Sequence, residues 1–252
     1  MTSLTNTPSH QERGHRAADR ESTPRHLAVI LDGNRRWAHA QGQTPLHGFR
    51  RGGEHVLDFL TWCQDIPGLT TLTLWPLSTE NLHRPATEVN GILQVIVETT
   101  QAIADTRQWR VRYLGTPHRL PPQVTRTLDA AAEQTRRLDR PVINLAIAYG
   151  GRDEIVRSVK ALIITHQKAG TLDHLVQRFG PDDISRHLDT AGQPDPDLVI
   201  RTAGEQRLSG FMPWQSTYAE YYFCPTPWPA FSKADLDTAL TWYGHRARNY
   251  GL

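Results

Sequence analysis

Short apolar runs of strand-forming residues alternate with longer helix-like stretches along most of the chain. The strand-like runs are residues 27–31, 69–75, 109–114, 142–147 and 198–200. The helix-like stretches are roughly 52–65, 87–106, 121–138 and 151–168. The runs 27–31 and 142–147 are almost continuously apolar, as in strands that are covered on both faces. Because this alternation implies right-handed βαβ crossovers, the sequence predicts an α/β fold with a mostly parallel central sheet flanked by helices.

The chain divides into a short N-terminal segment and one domain. Apart from the first methionine, residues 1–25 contain one large aliphatic side chain, Leu4, among small polar and charged residues. Such a segment cannot bury enough apolar surface to order itself, so we expect a mobile, disordered tail. Residues 26–252 show no internal repeat and no long linker and are expected to form a single domain. Within this domain, glycine and proline interrupt 169–197 and predict short helices there.

The composition excludes several classes of protein. Hydrophobic residues make up 38% of the 252 residues and charged residues 21%, which is sufficient for a packed core. The chain contains no apolar run long enough to predict a membrane span, and its N-terminus lacks the apolar segment of a secretory signal peptide. Cys63 and Cys224 are too few for a disulfide framework or a zinc cluster. We therefore expect a cytoplasmic protein without peripheral membrane contact.

The basic residues are unusual in kind rather than in number. The formal net charge is +2, and the 28 basic residues comprise 25 arginines and three lysines. This small net charge does not favour nucleic acid as a partner. A bias in genomic composition is a sufficient explanation for most of the arginines. For a few of them, the planar guanidinium group indicates bidentate binding of phosphate.

Arginine-bearing loops follow several of the predicted strands. In a sheet of this kind, ligands bind beyond the carboxyl ends of the strands. The loops at these positions are 32–37 (DGNRRW), 76–84, 148–152 and 201–209, and each contains arginine. Most of them also contain glycine, asparagine or serine. The sequence therefore predicts an anionic, phosphorylated ligand at this edge of the sheet.

The hexapeptide 32–37 is the most informative of these loops. Asp32 follows a strand, where a carboxylate can hold a hard cation without entering the core. Gly33 allows the backbone to approach a ligand closely, and the three side chains after it supply hydrogen-bonding groups. The alternative interpretation is an aspartate that caps a helix, followed by solvated arginines. Residue types alone leave both interpretations open.

The loop 201–209 (RTAGEQRLS) is the second candidate for an anion site. Arg201, Arg207 and Ser209, with a glycine between them, can surround one diphosphate. The alternative is a surface loop with an internal ion pair between arginine and glutamate. Two such loops at the ends of adjacent strands would form two diphosphate sites, which packing alone explains less easily.

These motifs resemble those of the cis-prenyltransferases of the undecaprenyl diphosphate synthase family. The matching segments follow the family's order and spacing over nearly all of residues 26–252. They are HLAVILDGNRRWA (26–38), LSTENLHRP (77–85), LAIAYGGRDEI (145–155), DPDLVIRTAGEQRLSGFMPWQSTYAEYYF (195–223), PWPAF (227–231) and RARNYG (246–251). The combination of STENL and GEQRLSG resembles the short-chain actinobacterial branch, whose product is Z-farnesyl diphosphate.

The resemblance implies a reaction and a cofactor. The family adds isopentenyl diphosphate to an allylic diphosphate with Mg²⁺ and forms a cis (Z) double bond. Ionising the allylic diphosphate places charge on the leaving group, which Mg²⁺ and arginines stabilise. Leu82 replaces the usual Trp after STEN, which favours a short-chain product. The paired DDxxD motifs of trans-prenyltransferases are lacking, since Asp182 and Asp183 are followed by Ile-Ser-Arg.

The resemblance also implies roles for individual residues. Asp32 would hold Mg²⁺ and the allylic diphosphate, Asn34 would be a candidate for proton removal, and Asn81 would lie near the reacting carbons. Glu220 of the YAE motif would support the metal and subunit contacts. The implied substrate-binding residues are Gly33, Arg35, Arg36, Trp37, Ser78, Arg84, Arg201, Arg207 and Ser209.

The family is dimeric, so the resemblance implies a homodimer. In the family, an RxR…G tail at the C-terminus reaches the neighbouring subunit's site. Arg246, Arg248 and Gly251 match that tail. The product chain would lie in an apolar tunnel, for which the helix 87–106 and the strand 69–75 are the candidates.

The chain departs from the family in the segment that would grip the allylic diphosphate. Long-chain relatives carry an Arg near position 45 and a His near position 49, whereas this chain has Pro45 and Phe49, which lack side-chain donors. His47, Arg50 or Arg51 could compensate, or Arg35, which stands where many relatives have Gly, could fill this gap. Alternatively, the same fold joins two dimethylallyl units head-to-middle or cyclises the product, as noncanonical members of the superfamily do.

Two alternatives belong to other classes of function. A catalytically silent partner subunit typically loses the Asp of the DGN motif and parts of the phosphate sites, whereas Asp32 and Arg201 are both present here. A nucleic-acid binder would use the arginines without the metal, and the low net charge disfavours it.

Overall fold

A six-stranded parallel sheet forms the centre of the protein. The structure, a computed structural model, describes residues 23–246. The strands are β1 (His26–Ile30), β2 (Thr71–Ser78), β3 (Arg110–Gly115), β4 (Val142–Tyr149), β5 (Leu198–Arg201) and β6 (Glu220–Phe223). They are ordered β3-β4-β2-β1-β5-β6, and each neighbouring pair is parallel. The predicted parallel α/β fold is therefore confirmed.

Helices connect the strands and cover the sheet. They are α1 (Asn34–Ala40), α2 (Pro45–Gln64), α3 (Ala86–Thr106), α4 (Pro122–Thr135), α5 (Gly151–Ala169), α6 (Leu172–Arg178), α7 (Pro181–Ser185) and α8 (Lys233–Gly244). Short 3₁₀ turns lie at Glu80–His83, Pro117–Arg119 and Trp228–Ala230. The short helices α6 and α7 confirm the prediction for 169–197.

Helix α2 begins at Pro45, so the predicted start at residue 52 was wrong. Its first half contains three glycines, which are poor helix formers, so the sequence did not indicate a helix there. Tertiary contacts explain them, because a Cβ atom at Gly48 would lie 2.2 Å from the backbone oxygen of Asn34. A Cβ atom at Gly53 would lie 2.5 Å from Cγ1 of Val95. The glycines thus allow α1 and α3 to pack closely against α2.

Strand β6 and helix α8 were not predicted. The strand (EYYF) is short and lies at the edge of the sheet, with all four of its residues half-buried. It therefore shows neither the continuous apolar run of a central strand nor a clean alternation. Helix α8 begins with a capping box, in which Ser232 Oγ accepts from the backbone N–H of Asp235 and the aspartate accepts in return.

Alternate residues of the strands pack on opposite faces of the sheet. In β1, Leu27 and Val29 join the larger core beneath α2, α3 and α8. Ala28 and Ile30 face the smaller core, which contains Phe211. Burial on both faces explains why β1 reads as a continuous apolar run. The last residues of the strand are thereby held rigidly, and the loop after it starts from a fixed point.

The residues that begin the described part of the chain are bound to the domain. Thr23 Oγ1 donates to the backbone oxygen of Pro67 (2.7 Å), and the Arg25 N–H donates to Asp197 Oδ2 (2.8 Å). The rest of the predicted tail, residues 1–22, lies outside the described residues, as do residues 247–252. None of the helices within residues 23–246 is long and apolar enough to cross a membrane.

Candidate active site

A cleft opens at the carboxyl ends of β1, β2 and β5. Its volume is about 740 Å³. The predicted site residues that line it are Asp32, Gly33, Asn34, Arg35, Arg36, Ser78, Asn81, Arg84, Arg201, Arg207 and Ser209. Because β1 lies between β2 and β5 in the sheet, the loops after these three strands meet around one space. The DGNRRW and RTAGEQRLS loops follow the adjacent strands β1 and β5, which is the arrangement that two neighbouring diphosphate sites require.

Asp32 is held on both its backbone and its side chain. Its N–H donates to Thr202 Oγ1 (2.9 Å), and the same hydroxyl donates back to the Asp32 carbonyl (2.7 Å). Its Oδ1 accepts from the Gly33 N–H (2.7 Å) and its Oδ2 from Arg201 Nη2 (3.0 Å). The carboxylate is about one-third exposed and faces the cleft. It is therefore fixed in place but accessible to a ligand.

Gly33 occupies a position that other residues cannot take. Its φ is +100°, in the left-handed region. A Cβ atom there would lie 2.8 Å from the Cβ atoms of both Ala203 and Pro227. Two loops of the cleft floor thus meet at this glycine, and an alanine would force them apart.

Arg201 connects the two arginine-bearing loops. Its side chain is 6% exposed. Nη2 donates to Asp32, while Nη1 donates to Ser209 Oγ (2.9 Å) and to the backbone oxygen of Arg207. The Nε–H has no hydrogen-bond partner among residues 23–246. A buried cation in this state is a strong donor to an anion that enters the cleft.

Glu205 bridges the arginines of the two loops. Its Oε1 accepts from Arg36 Nη1 (3.0 Å), and its Oε2 accepts from Arg207 Nη1. Both guanidinium groups are more than half exposed and retain further N–H donors. The loop 201–209 therefore contains the internal ion pair between arginine and glutamate that was the alternative interpretation, and it also lines the cleft.

The loop after β2 supplies a second polar wall. Asn81 and Ser78 hold each other, since the Asn81 N–H donates to Ser78 Oγ (3.2 Å) and the Ser78 N–H to Asn81 Oδ1 (3.4 Å). Arg84 Nη1 donates to Glu88 Oε1 (3.0 Å), and Arg35 Nε lies 3.8 Å from the same oxygen. One carboxylate therefore holds two cleft arginines.

Two predicted site residues lie away from this cleft. Trp37 stacks on His47, with ring centroids 5.8 Å apart, and is not among the described residues that line the cleft. Glu220 is the first residue of β6 and lies at the amino ends of the strands, whereas Asp32 follows the carboxyl end of β1. Its Oε2 pairs with Arg246 Nε (3.0 Å). Asp32 and Glu220 of one chain therefore do not share a metal site, and any joint role would need two chains.

The cleft continues into an apolar cavity between the sheet, α2 and α3. Leu31, Asn34, Phe49 and Pro76 line both spaces. The cavity measures about 60 Å³, and the rest of its wall is Gly52, Gly53, Val56, Leu74, Ile92, Val95, Ile96, Thr99, Thr100, Leu145, Ile147 and Trp228. This placement agrees with the expectation that α3 and β2 line an apolar tunnel.

A buried polar network supports the loop that carries Ser209. The Tyr149 hydroxyl donates to Glu154 Oε2 (2.6 Å), and burial raises the pKa of both groups. Tyr149 packs edge-on against Phe211, which stacks on Trp75 at 5.0 Å. Since Trp75 also lines the cleft, this network fixes one wall of the site from beneath.

Sequence reasoning missed Thr202 and Glu205 as parts of the site. Thr202 follows Arg201 directly, but nothing in the sequence shows that its hydroxyl closes a loop 170 residues earlier in the chain. Glu205 was assigned to an internal pair with arginine. Its position between two arginines in RTAGEQR was the available signal.

The polar groups at Asp32 fit one Mg²⁺ ion that a diphosphate also coordinates. Magnesium is commonly bound by one or two carboxylates together with substrate phosphates. Within residues 23–246 there is no cluster of three acidic, histidine or cysteine side chains that could hold a metal without a ligand. The partly exposed carboxylate of Asp32 beside several arginines is therefore suited to a metal that arrives with its substrate.

Comparison with known proteins identifies the family. Residues 30–251 match the family model described as "Putative undecaprenyl diphosphate synthase". The chain belongs to this prenyltransferase family. It is 45% identical over 234 residues to "Isoprenyl transferase 1" of Streptomyces avermitilis, which covers 92% of this chain and 91% of that protein. It is 43% identical over 244 residues to the "(2Z,6E)-farnesyl diphosphate synthase" of Thermobifida fusca, with 96% and 95% covered.

A solved structure is also similar to this prenyltransferase over most of its length. The lavandulyl diphosphate synthase of Lavandula x intermedia, in complex with dimethylallyl diphosphate, superposes with a TM-score of 0.86 at 32% identity. The match covers 92% of this chain and 100% of that one. The fold is therefore that of the family, whichever products its members form.

Proposed function

We propose that this prenyltransferase transfers isopentenyl diphosphate onto a short allylic diphosphate and forms a cis (Z) short-chain prenyl diphosphate. One observation carries the proposal: two arginine-bearing loops face each other across a single cleft, Asp32 lies between them, and the cleft continues into an apolar cavity. Diphosphates fit the polar part of this space and a short prenyl chain fits the apolar part. The names of relatives at 43% and 42% identity, both (2Z,6E)-farnesyl diphosphate synthases, support it.

In this proposal the allylic diphosphate lies beside Asp32, Gly33 and Arg36. The tight turn at Gly33 leaves backbone close to the ligand, and Arg36 keeps free donors beyond its contact with Glu205. Arg35, held by Glu88, supplies positive charge near Pro45 and Phe49, which lack donors. The allylic carbons would point past Asn34 into the cavity, because Asn34 lines both spaces.

The isopentenyl diphosphate would lie against Arg201, Arg207 and Ser209. Arg201 contributes a positive charge from the cleft wall, and the exposed guanidinium group of Arg207 can turn toward phosphate. Asn34 and Asn81 would then flank the reacting carbons from the β1 and β2 sides of the cleft. By resemblance to the family, Asn34 remains the candidate for removal of the proton that the condensation releases, and its Nδ2 donates to the backbone oxygen of Leu31 (2.9 Å), which holds the side chain at the cleft.

Mg²⁺ is the proposed cofactor. When bound, it would neutralise charge that develops on the diphosphate leaving group. Asp32 would hold it, and Arg201 keeps the carboxylate oriented. Arg36, 3.5 Å from Asp32 Oδ1, would add a second positive charge at the same place.

A small cavity supports a short product. With a volume of about 60 Å³ it must widen even for a short prenyl chain, and a long polyprenyl chain would require a much larger displacement of α2 and α3. Protein interiors resist such movement, because close-packed side chains must shift together. We therefore propose that elongation stops after few condensations.

A head-to-middle condensation is the second candidate. It is favoured by the structural similarity to a lavandulyl diphosphate synthase and by Pro45 and Phe49, which both line the cleft. Product analysis separates the two candidates. The purified protein with Mg²⁺ receives dimethylallyl diphosphate alone, and isopentenyl diphosphate with dimethylallyl, geranyl or farnesyl diphosphate. Linear Z-prenols after dephosphorylation support the first candidate, and branched or cyclic alcohols support the second. Absence of any new carbon–carbon bond contradicts both.

Alanine at Arg207 is expected to weaken binding of one substrate selectively. Because Arg207 would contact isopentenyl diphosphate, its loss should raise KM for that substrate about tenfold or more and KM for the allylic diphosphate about twofold or less. Steady-state kinetics with each substrate varied in turn measure both values. Arg36→Ala is the matched control, since both arginines pair with Glu205, and it should show the reverse pattern. Equal effects of Arg207→Ala on both substrates would place this residue elsewhere.

We also propose that the protein is a homodimer that uses an apolar face on α5 and α6. The exposed large apolar side chains on these two helices and directly after α6 are Val156, Ile163, Ile164, Leu172, Val176 and Phe179. A contiguous apolar patch on a protein surface commonly marks an interface.

Arg246, which also contacts Trp242 at 5.3 Å, is the part of the C-terminal motif within the described residues. Arg248 and Gly251 lie outside them.

A charge on this face is expected to separate the subunits. Ile163→Asp would place a carboxylate in the proposed interface, and desolvating an unpaired charge opposes association. Analytical ultracentrifugation should give a dimer for the wild type and a monomer for the variant. Gln123→Asp on exposed α4 is the control and should remain dimeric. A monomeric wild type, or a variant that stays dimeric, contradicts the proposed interface.

We propose a cytoplasmic location for the enzyme. Both cysteines, Cys63 and Cys224, are free and buried. Burial raises the pKa of both thiols, so they are poor nucleophiles. Free cysteines are typical of proteins in a reducing compartment.

A further inference from the structure

One hydroxyl group of the cavity wall is both buried and without a hydrogen-bond partner. Thr100 of α3 lines the cavity wall and is 1% exposed. Its Oγ1 is buried and makes no hydrogen bond with any residue between 23 and 246. Buried hydroxyl groups usually have a partner, because an unsatisfied one is costly.

The other helices show what a threonine in this position ordinarily does. A helical threonine can donate to the carbonyl oxygen four residues earlier, and this satisfies its hydroxyl within the helix. The threonines that do so here are Thr61, Thr127, Thr135, Thr165 and Thr238, at 2.7–3.2 Å. Thr100 makes no such bond, although the residue lines the cavity, so its hydroxyl has no partner in this helix.

The cavity offers little to satisfy this hydroxyl. Apart from Trp228, whose indole N–H donates to Gly52 O (2.8 Å), the polar side chains of the wall are Asn34, Thr99 and Thr100. Asn34 lies at the mouth of the cavity, because it also lines the cleft. A buried water needs several polar partners to stay in place, and an apolar wall does not supply them. A polar group on a bound ligand is therefore the natural partner.

The position of Thr100 selects which end of a ligand it meets. Helix α3 starts beside the cleft, where Glu88 pairs with Arg84. Thr100 lies twelve residues further along the helix, which is about 18 Å at the usual rise per residue. A ligand whose diphosphate is held in the cleft would thus bring its terminal carbons, not its charged end, toward Thr100.

We propose that this cavity recognises allylic diphosphates that carry an oxygen on the terminal carbon of the prenyl chain, through the hydroxyl of Thr100. This inference rests on the proposed function, since it takes the cavity to be the site of the prenyl chain. It adds a substrate class, the terminally hydroxylated prenyl diphosphates. A hydroxyl at the chain end both donates and accepts, so it satisfies Thr100 in either orientation.

The test compares plain and oxygenated ligands on isosteric variants. Titration calorimetry of the Mg²⁺-loaded enzyme measures Kd for geranyl and farnesyl diphosphates and for their analogues hydroxylated at a terminal methyl group. Thr100→Val keeps the shape and removes the hydroxyl. We expect the ratio of the two Kd values, plain over hydroxylated, to fall about tenfold in this variant for at least one pair. Thr100→Ser keeps the hydroxyl and should retain the wild-type ratio.

The control is another threonine of the same wall. The Thr99 hydroxyl also makes no hydrogen bond among the described residues, but Thr99 is partly exposed, so water can satisfy it. Thr99→Val should leave the ratio within about twofold of the wild type. The proposal is overturned if Thr100→Val changes the ratio by less than about threefold for both pairs, or if Thr99→Val changes it equally.

Measurements of binding and of turnover test this inference and the proposed function separately. The expected ratios without any condensation product would contradict the proposed function and leave the recognition by Thr100 in place. Normal condensation with unchanged Kd ratios would contradict the recognition by Thr100 and leave the proposed function in place. Circular dichroism of each variant shows whether it is folded, and Thr100→Ser provides the comparison if the valine variant is not.

Discussion

Replacing Asp32 with alanine is expected to reduce kcat by about a thousandfold or more, because the variant loses metal binding and orientation of the diphosphate together. Asp32 is the one acidic side chain that the predicted DGN motif contributes to the cleft, and its carboxylate is held toward that space by Gly33 and Arg201. Single-turnover measurements with saturating Mg²⁺ and both substrates would report the loss in the chemical step itself.

The alanine variant also changes the balance of charge around Arg201. This arginine is almost fully buried, and Asp32 is its carboxylate partner. Asp32→Asn is therefore the more informative variant, since it keeps the shape of the side chain and one acceptor oxygen, for either Arg201 or Gly33, while it removes the charge. If the asparagine variant is as stable to urea as the wild type and retains more than about a tenth of kcat, Asp32 does not hold the metal.

The part of the site that could be predicted is the part that lies next to a strand end. The apolar run of β1 fixes where the strand stops, and the residues that follow it in the sequence are the residues of the cleft. The same holds for β5 and its loop, because Arg201 is the last residue of that strand. The carboxyl ends of parallel strands lie at the same edge of the sheet, so the sequence alone places the loops after β1 and β5 at that edge.

What could not be predicted depends on contacts between distant segments. The glycines of α2 have low helix propensity, yet Gly52 is required because a Cβ atom would lie 2.2 Å from Asn34 Oδ1. Likewise, the hydroxyl of Thr202 finds Asp32 across 170 residues. Trp37 follows the arginines of the motif directly, but the turn of α1 directs its ring to His47. Periodicity contains none of this information.

The cleft arginines share a common arrangement, which also could not be predicted from the sequence. Each is held by a carboxylate that leaves donors unused: Glu205 holds Arg36 and Arg207, and Glu88 holds Arg84 and lies near Arg35. Because these contacts restrict the long side chains before a ligand arrives, less conformational entropy is lost on binding. The acidic residues of the loops therefore support phosphate binding rather than oppose it.

Alanine at Arg201 is expected to have the second large effect, a decrease of about a thousandfold in kcat/KM for isopentenyl diphosphate. Its guanidinium group holds Asp32, Ser209 and the backbone of residue 207 at once. Its loss should therefore displace the isopentenyl site and release the proposed metal ligand. Lysine cannot form the same fork of hydrogen bonds, so Arg201→Lys should recover little of the activity.

The effect on the site can be separated from an effect on folding. Removing one partner of a buried ion pair costs about 3–5 kcal/mol, and because Asp32 is one-third exposed we expect about 1–3 kcal/mol here. Arg157 provides the control, since it pairs with Asp189 at 2.8–2.9 Å and lies away from the cleft. Arg157→Ala should lower the free energy of unfolding in urea by a similar amount, while KM for isopentenyl diphosphate stays within about threefold of the wild type. If Arg201→Ala likewise leaves that KM within about threefold, the isopentenyl site does not include Arg201, and the two loops bind something other than two diphosphates.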